Sequence, residues 1–295
     1  MGFLYRSITF VLIIPLLLYL FAGIIEFGLD WYKNSDISVL HEIRKDKKYD
    51  VVIMGTSHAR MFGVSGHRAA VSNILQKRIF SLANNGSGPL PQRLYLEKFY
   101  RDGNKAETIV YFIDPWVLYS REWNEGNHYI TDEVLRLDFL VSLVQSGFDT
   151  DVIREYLRKK VSYKLFVFPI PRSLEFNEAM NENNKQNTTN LYPDGINQKN
   201  FQRYSAEIER IISIANSHNT SILFIMPPVL MEELPGRLKT VEFLNDVSKK
   251  YKVKAYDYTN NITDRSMFLN TDHLNKKGVL FFSQNYLRDA ITKNR

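Results

Sequence analysis

In the stretch VVIMGTSHARMFG, residues 51–63, a short apolar run typical of a β-strand is followed by a serine, Ser57. The first four residues of the stretch are apolar and mainly β-branched, which is typical of a strand buried in a parallel sheet. The GTSH that follows places Ser57 at a strand-to-helix turn, at the end of the strand where open α/β folds bind their ligands. The pattern is not a G-x-S-x-G elbow, because Ala59 occupies the last position, and it lacks the glycine spacing of a dinucleotide loop. Ser57 therefore suits a nucleophile, and its alternative role is to cap the helix.

Strand-like and helix-like segments alternate along the rest of the chain. The further apolar runs are RIFSL at 78–82, TIVYFI at 108–113, SILFIM at 221–226 and VKAY at 253–256. Three amphipathic faces lie between or after them: Ile208, Ile211, Ile212 and Ala215; Leu238, Val241, Leu244 and Val247; Val279, Phe282, Tyr286 and Ala290. This alternation predicts a three-layer α/β/α domain with a five-stranded parallel sheet. The charged segment 41–50 before the first strand is predicted to be a helix or a linker.

The composition is that of a folded protein, and it restricts the available chemistry. The chain has 295 residues, 44% of them hydrophobic and 24% charged, which is enough for a full apolar core. It has no cysteine, which excludes disulfides, iron–sulfur clusters, thiolate zinc sites and cysteine nucleophiles. The net charge of +6 is not concentrated in a basic stripe with interleaved aromatics, so we do not expect nucleic acid as a partner. His58 and His67 lack a metal-ligand spacing, and we predict neither a metal nor another cofactor.

Residues 8–25, ITFVLIIPLLLYLFAGII, form an uncharged apolar run that covers most of the thickness of a bilayer. We predict a transmembrane anchor; the alternative is a cleaved signal peptide, but the residues after the run do not form a small-residue cleavage site. Arg6 precedes the run, and Glu26 and Asp30 follow it, which favours a cytoplasmic N-terminus. The chain is thus predicted to be a single-pass protein of the cytoplasmic membrane with its globular part on the extracytoplasmic side.

The predicted domain organisation follows from these patterns. An N-terminal anchor occupies 1–33, and one α/β domain occupies 34–295. The stretch at about 120–200 does not fit the strand–helix rhythm, because it reads as two helices followed by an Asn-rich polar loop. We predict that it is an insertion in the α/β domain.

A histidine near the C-terminus could serve Ser57. FLNTDHLNKKG, 268–278, places Asp272 and His273 just before the last amphipathic helix. A serine nucleophile needs a base within hydrogen-bond reach, and that base needs an orienting group, so Ser57, His273 and a nearby carboxylate make a complete set. The alternative is that His273 is an ordinary loop histidine.

A glycine-containing segment follows the second strand. In SLANNGSGP, 81–89, the glycines would allow the backbone N–H groups of Gly86 and Ser87 to point at a common site as oxyanion donors. The alternative is a plain turn, since Asn, Gly, Ser and Pro are all turn formers.

In this order, the three segments resemble the SGNH (GDSL-like) hydrolase superfamily, through GTSH at 55–58, NNGSG at 84–88 and DHLN at 272–275. With the MPP tripeptide at 226–228 and the N-terminal anchor, the chain is most similar to the membrane-anchored branch of that superfamily. That branch works in O-acetylation of cell-surface polysaccharides or D-alanylation of teichoic acids, often beside a membrane-bound O-acyltransferase. The resemblance extends over most of the chain from Asp50 onward.

The resemblance implies a role for each site residue. Ser57 would be the nucleophile, His273 the general base and Asp272 the group that orients the imidazole. The backbone N–H groups of Ser57 and Gly86 would bind the oxyanion. The expected activity is serine-dependent O-acyl transfer to a glycan or polyol of the cell envelope. The alternatives are an O-acetyl esterase of the same fold and a non-catalytic accessory protein of a membrane-bound O-acyltransferase.

Two positions differ from the pattern of the superfamily. Asp114 stands where an Asn oxyanion donor is usual, and an ionised carboxylate there would repel an oxyanion. Asn270 stands where the orienting Asp is usual. The orienting group is then Asp272 or Asn270, or else Ser57 and His273 act as a dyad.

Overall fold

The computed structural model of the chain describes residues 38–126, 130, 133, 136–161, 175–180 and 188–294, together with isolated positions between 13 and 20. The predicted membrane anchor at 8–25 otherwise lies outside the described residues. Its described positions are helical and have exposed apolar side chains: Ile13, Ile14, Leu16, Leu17 and Leu20. Within the described part of the chain, no helix combines the length and the apolar character that crossing a bilayer requires.

A parallel five-stranded sheet lies at the centre of the fold. The strands are β1 (Lys48–Met54), β2 (Ile79–Ser81), β3 (Lys105–Phe112), β4 (Ser221–Met226) and β5 (Lys254–Asp257). Their order across the sheet is β2-β1-β3-β4-β5, and every neighbouring pair is parallel. The predicted five-stranded parallel sheet is therefore confirmed.

Helices cover both faces of the sheet. They are α1 (Val39–Glu42), α2 (Ser57–Gly63), α3 (Ser65–Leu75), α4 (Pro89–Arg101), α5 (Glu122–Glu125), α6 (Leu137–Gln145), α7 (Thr150–Val161), α8 (Thr188–Leu191), α9 (Gln198–Ser217), α10 (Arg237–Tyr251), α11 (Lys276–Phe282) and α12 (Arg288–Lys293). Short 3₁₀ turns occupy Pro115–Leu118 and Arg265–Met267, and a π turn, Ser283–Leu287, joins α11 to α12.

The alternation of side chains along β1 produces the three layers. Val52 and Met54 contribute to a core that also contains residues of α4, α9 and α10, whereas Val51 and Ile53 contribute to a second core with α2, α3 and α11. Successive side chains of a strand point to opposite faces, so a strand that is apolar at every position needs a helical layer on each side. The three-layer α/β/α prediction is confirmed on this basis.

Two local predictions held only in part. The segment 41–50 was predicted to be a helix or a linker; His41 and Glu42 end α1 and a turn follows, but β1 already begins at Lys48, which pairs with Lys105. Leu238 is 73% exposed, although it was predicted to share a buried face with Val247. A spacing of three residues drifts about 60° per step around a helix of 3.6 residues per turn, so Leu238 lies on the opposite side of α10 from Val247.

Candidate active site

Ser57 is positioned by the tight turn between β1 and α2. Gly55 has a φ of +133°, and a Cβ on it would lie 2.4 Å from the carbonyl oxygen of Phe112, so only glycine fits there. Its N–H donates to Gln92 Oε1 at 3.0 Å. Ser57 is the first residue of α2, as the sequence predicted, and its side chain is part-buried at the carboxyl end of the sheet.

His273 lies in a short loop that Asn275 holds in place. Asn275 Oδ1 accepts from the N–H of Gly278 at 3.1 Å and so caps α11, while Nδ2 donates to the carbonyls of Ser266 at 2.9 Å and Phe268 at 3.3 Å. The loop closes on itself because the N–H of Leu269 donates to the carbonyl of His273 at 2.8 Å. Such a closed loop presents the imidazole from a defined position.

Two other segments pack against the histidine loop. The N–H of Leu230, just after the MPP tripeptide, donates to the carbonyl of Thr271 at 2.7 Å. In the segment 175–180, the carbonyl of Phe176 accepts from the N–H of Lys276, and the N–H of Met180 donates to a carbonyl of the loop, each at 2.7 Å. The start of the predicted Asn-rich loop is thus part of the wall around His273, which sequence patterns did not reveal.

The structure brings Ser57 and His273 into direct contact. His273 Nε2 lies 2.7 Å from Ser57 Oγ, within the range of a strong hydrogen bond. The imidazole is 16% exposed, so the pair is largely buried but still accessible from solvent. This is the spacing that a serine nucleophile and its base require.

The other ring nitrogen of His273 faces both candidate orienting groups. Nδ1 is 3.1 Å from Asn270 Oδ1 and equally 3.1 Å from Asp272 Oδ1. Only the Asn270 contact has hydrogen-bond geometry, and Asp272 Oδ1 is buried with no hydrogen-bond partner among the described residues. Asn270 Oδ1 also accepts from the N–H groups of Asp272 and His273, at 3.2 and 2.7 Å. Asn270 therefore fixes the ring, and Asp272 adds a negative charge beside it.

The carboxyl of Asp272 is held in its ionised form. Burial acts to raise the pKa of Asp272, but the adjacent rings of His273 and His58 outweigh burial and lower this pKa well below its usual range. Asp272 Oδ2 is 3.5 Å from His58 Nε2.

Asp114 does not lie free in the site. Its carboxylate accepts a short hydrogen bond from Thr56 Oγ1 and lies 2.7 Å from His58 Nδ1. The expectation that Asp114 would repel an oxyanion stays a prediction, and a protonated His58 would offset the charge of this carboxylate. The edge of Trp116 also contacts the His58 ring, with the ring centroids 5.3 Å apart.

The glycine-containing segment lies against the turn that carries Ser57. The N–H of Asn84 and the hydroxyl of Ser87 both contact the carbonyl oxygen of Gly55, at 3.2 and 3.4 Å. Gly86 has a φ of +62° within the turn between them, a conformation that glycine adopts readily. The predicted role of the Gly86 N–H as an oxyanion donor stays a prediction.

One group of side chains among the described residues is spaced closely enough for a metal ion. His58, Asp272 and His273 each offer a ligand atom, and these atoms lie within 4.8 Å of one another. A metal would need a lone pair on a ring nitrogen of His58. The pKa of His58 is raised to about 10, because the carboxylates of Asp114 and Asp272 outweigh the opposing effect of burial. A ring in the cationic form has no free lone pair, so this ion pairing competes with metal binding.

Comparisons with known proteins place the chain in no family. No protein-family model and no curated protein match it. Among solved structures, it is similar to a "putative acylhydrolase" from Bacteroides fragilis NCTC 9343, with 10% identity and a TM-score of 0.45, over 87% of this chain and 94% of that chain.

Proposed function

We propose that the chain is a membrane-anchored, serine-dependent O-acyltransferase that acts on a polysaccharide or polyol of the cell envelope. The observation that carries this proposal is the 2.7 Å contact between Ser57 Oγ and His273 Nε2, with an amide and a carboxylate beside the opposite ring nitrogen. These are the parts of a nucleophile, a base and a group that orients the base.

The reaction has two half-steps. Ser57 Oγ attacks the acyl carbonyl of the donor ester while His273 accepts the hydroxyl proton. The bond from the carbonyl carbon to the leaving oxygen breaks, and His273 returns the proton to that oxygen. An acceptor hydroxyl then gives its proton to His273 and attacks the carbonyl carbon of the acyl-serine, which forms the new ester. The bond from that carbon to Ser57 Oγ breaks, and His273 returns the proton to Ser57 Oγ.

Backbone N–H groups would stabilise the tetrahedral intermediate. The N–H of Ser57 is at the first turn of α2, where no intrahelical acceptor is available, and the turn with Gly86 packs beside it. A well-placed oxyanion donor contributes on the order of 3 kcal/mol to the rate in comparable sites.

The choice of transfer over hydrolysis depends on the sequence outside the described site. The apolar run at 8–25 would tether the domain to the cytoplasmic membrane, with the site on the extracytoplasmic side. A membrane-bound O-acyltransferase beside it would supply the acyl groups. An O-acetyl esterase of the same mechanism is the alternative, because water could replace the acceptor hydroxyl.

Burst kinetics with an activated acetyl ester would test the proposal. We expect the full-length protein in detergent to release about one equivalent of alcohol rapidly and then turn over slowly, because acyl-serine accumulates. A soluble polyol or glycan acceptor should accelerate the slow phase and form acetylated acceptor. A slow phase that is insensitive to acceptor would favour the esterase, and a folded protein with neither burst nor turnover would favour a non-catalytic accessory role. Ser57→Ala should remove the burst.

A further inference from the structure

His58 lies between two buried carboxylates beside the proposed nucleophile. It is the second residue of α2, and its side chain is buried. Nδ1 lies 2.7 Å from Asp114 Oδ1, at the end of β3, and Nε2 lies 3.5 Å from Asp272 Oδ2, in the histidine loop. The proposed acyl transfer assigns no role to this side chain.

The two carboxylates require a cation at this position. Asp114 and Asp272 are each about 1% exposed, and an unpaired buried carboxylate is costly. A neutral imidazole has one N–H and could face only one of them with a donor, whereas the cation has two. Burial of the ring opposes the cation, but the charge and hydrogen bond of Asp114 together with the nearby carboxylate of Asp272 prevail and raise the pKa of His58 to about 10.

We propose that His58 is a positioning residue of the serine site, which acts as a buried cation that joins Asp114 to Asp272 and holds Asp272 against His273. The proposal rests on the proposed serine chemistry. It makes a connected network of side chains that begins at Thr56 and Asp114, passes through His58 and Asp272, and ends at His273.

The cation also sets the charge that His273 experiences. The rings of His58 and His273 are tilted, with centroids 4.4 Å apart. Two carboxylates and one imidazolium leave a single net negative charge beside His273. Proton transfer from Ser57 to His273 neutralises that charge. Without the His58 cation, two negative charges would favour a protonated resting His273, which cannot act as a base.

Charge-changing variants test this role through the pH profile of Ser57 reactivity. The readout is the rate at which a fluorophosphonate probe labels full-length protein in detergent, measured across the pH range in which histidine titrates. His58→Gln removes the cation, Asp114→Asn removes one negative charge, and the double variant removes both. His218→Gln is the control, because His218 lies at the end of α9 and contacts Tyr100 and Ile214 instead of the site.

We expect opposite shifts from the two single variants. His58→Gln should slow labelling at neutral pH about tenfold or more and move the acid limb of the profile to higher pH. Asp114→Asn should move the acid limb to lower pH, and the double variant should return it toward the wild-type position. A side chain that only fills space would not give shifts of opposite sign.

Several results would overturn the inference. If His58→Gln labels at the same rate and with the same profile as His218→Gln, His58 has no positioning role. Labelling of the wild type that depends on added Zn²⁺ would make His58 a ligand instead of a buried cation. Wild-type protein that is folded but unlabelled at every pH would instead refute the proposed function, and the role of His58 with it.

Discussion

Ser57 Oγ and His273 Nε2 lie 2.7 Å apart although 216 positions separate the two residues in the chain. The contact exists because β1 and the loop before α11 both end at the same edge of the parallel sheet. The turn at Gly55, where only glycine fits, positions Ser57. Asn270 accepts from the backbone N–H of His273 and contacts its ring, and so positions His273. Local backbone geometry on each side therefore holds the two side chains in contact.

The two groups beside His273 Nδ1 should contribute differently to reactivity. Asp272→Asn keeps the shape but removes the charge that stabilises the imidazolium, so we expect the rate of Ser57 acylation to fall on the order of 10²-fold. Asn270→Asp should stay within about tenfold of wild type when it is measured above its acid limb, because a carboxylate can accept the same N–H bond. The added negative charge should move that acid limb to higher pH. Stopped-flow measurement of the acylation burst would check both. A greater loss in Asn270→Asp than in Asp272→Asn would contradict this division of roles.

Gly55 should be essential for folding. In Gly55→Ala the new Cβ would lie 2.4 Å from the carbonyl oxygen of Phe112 at a φ of +133°, so we expect unfolding to become easier by about 3 kcal/mol or more. Gly195→Ala is the control, because Gly195 also has a positive φ, +62°, but nothing lies within 4 Å of its Cβ position. It should cost only about 1 kcal/mol. Urea unfolding of the two variants measures the difference, and equal effects would refute the steric argument.

Asn275 should maintain both the histidine loop and the start of α11. Asn275→Ala removes the helix cap and the side-chain donor to the carbonyls of Ser266 and Phe268, so we expect a loss of about 1–2 kcal/mol in the free energy of unfolding. The rate of acylation should fall as well, because His273 loses its fixed position. Asn285→Ala is the matched control, since Asn285 is exposed and donates only to the carbonyl of Phe281. If both variants unfold at the same denaturant concentration, the loop does not depend on Asn275.

The buried cation should make stability depend on pH. The pKa of His58 is about 10 in the fold against 6.5 for an unperturbed histidine, so its ion pairs contribute fully below pH 6.5 and are lost as pH rises toward 10. The free energy of unfolding of wild-type protein should therefore fall across this window. The neutral double variant of His58→Gln with Asp114→Asn should show a shallower decline. Denaturant unfolding at several pH values measures both slopes, and identical slopes would contradict a cationic His58.

The parallel sheet could be predicted from the sequence, but the side-chain contacts around the site could not. All five strands overlap the predicted apolar runs. The pattern is clearest in β1, β3 and β4, whose last residues are buried because the sheet is covered on both faces. Asp114 and His58 were not paired in advance, because their contact depends on β3 lying next to β1 in the sheet order. Which of Asn270 and Asp272 accepts the hydrogen bond from His273 Nδ1 depends on the direction of that N–H in the loop. Neither sheet order nor side-chain direction has a signature in residue spacing.

Part of the predicted site could be placed from sequence for a physical reason. Ser57 and His273 each occupy the junction between an apolar segment and a helix start, and such junctions collect at the carboxyl edge of a parallel sheet. The oxyanion role of Gly86 stays a prediction, as do the membrane anchor at 8–25 and the insertion at about 120–200.

Fluorophosphonate labelling of the full-length protein, followed by peptide mapping, tests the central claim most directly. The probe should phosphonylate Ser57 with loss of fluoride, and Ser57→Ala and His273→Ala should abolish the modification. Ser213→Ala, which changes an exposed serine on α9, should label like the wild type. A correctly folded wild-type protein that remains unmodified at Ser57, or that is modified equally well in His273→Ala, would contradict the claim that these two residues form an activated pair.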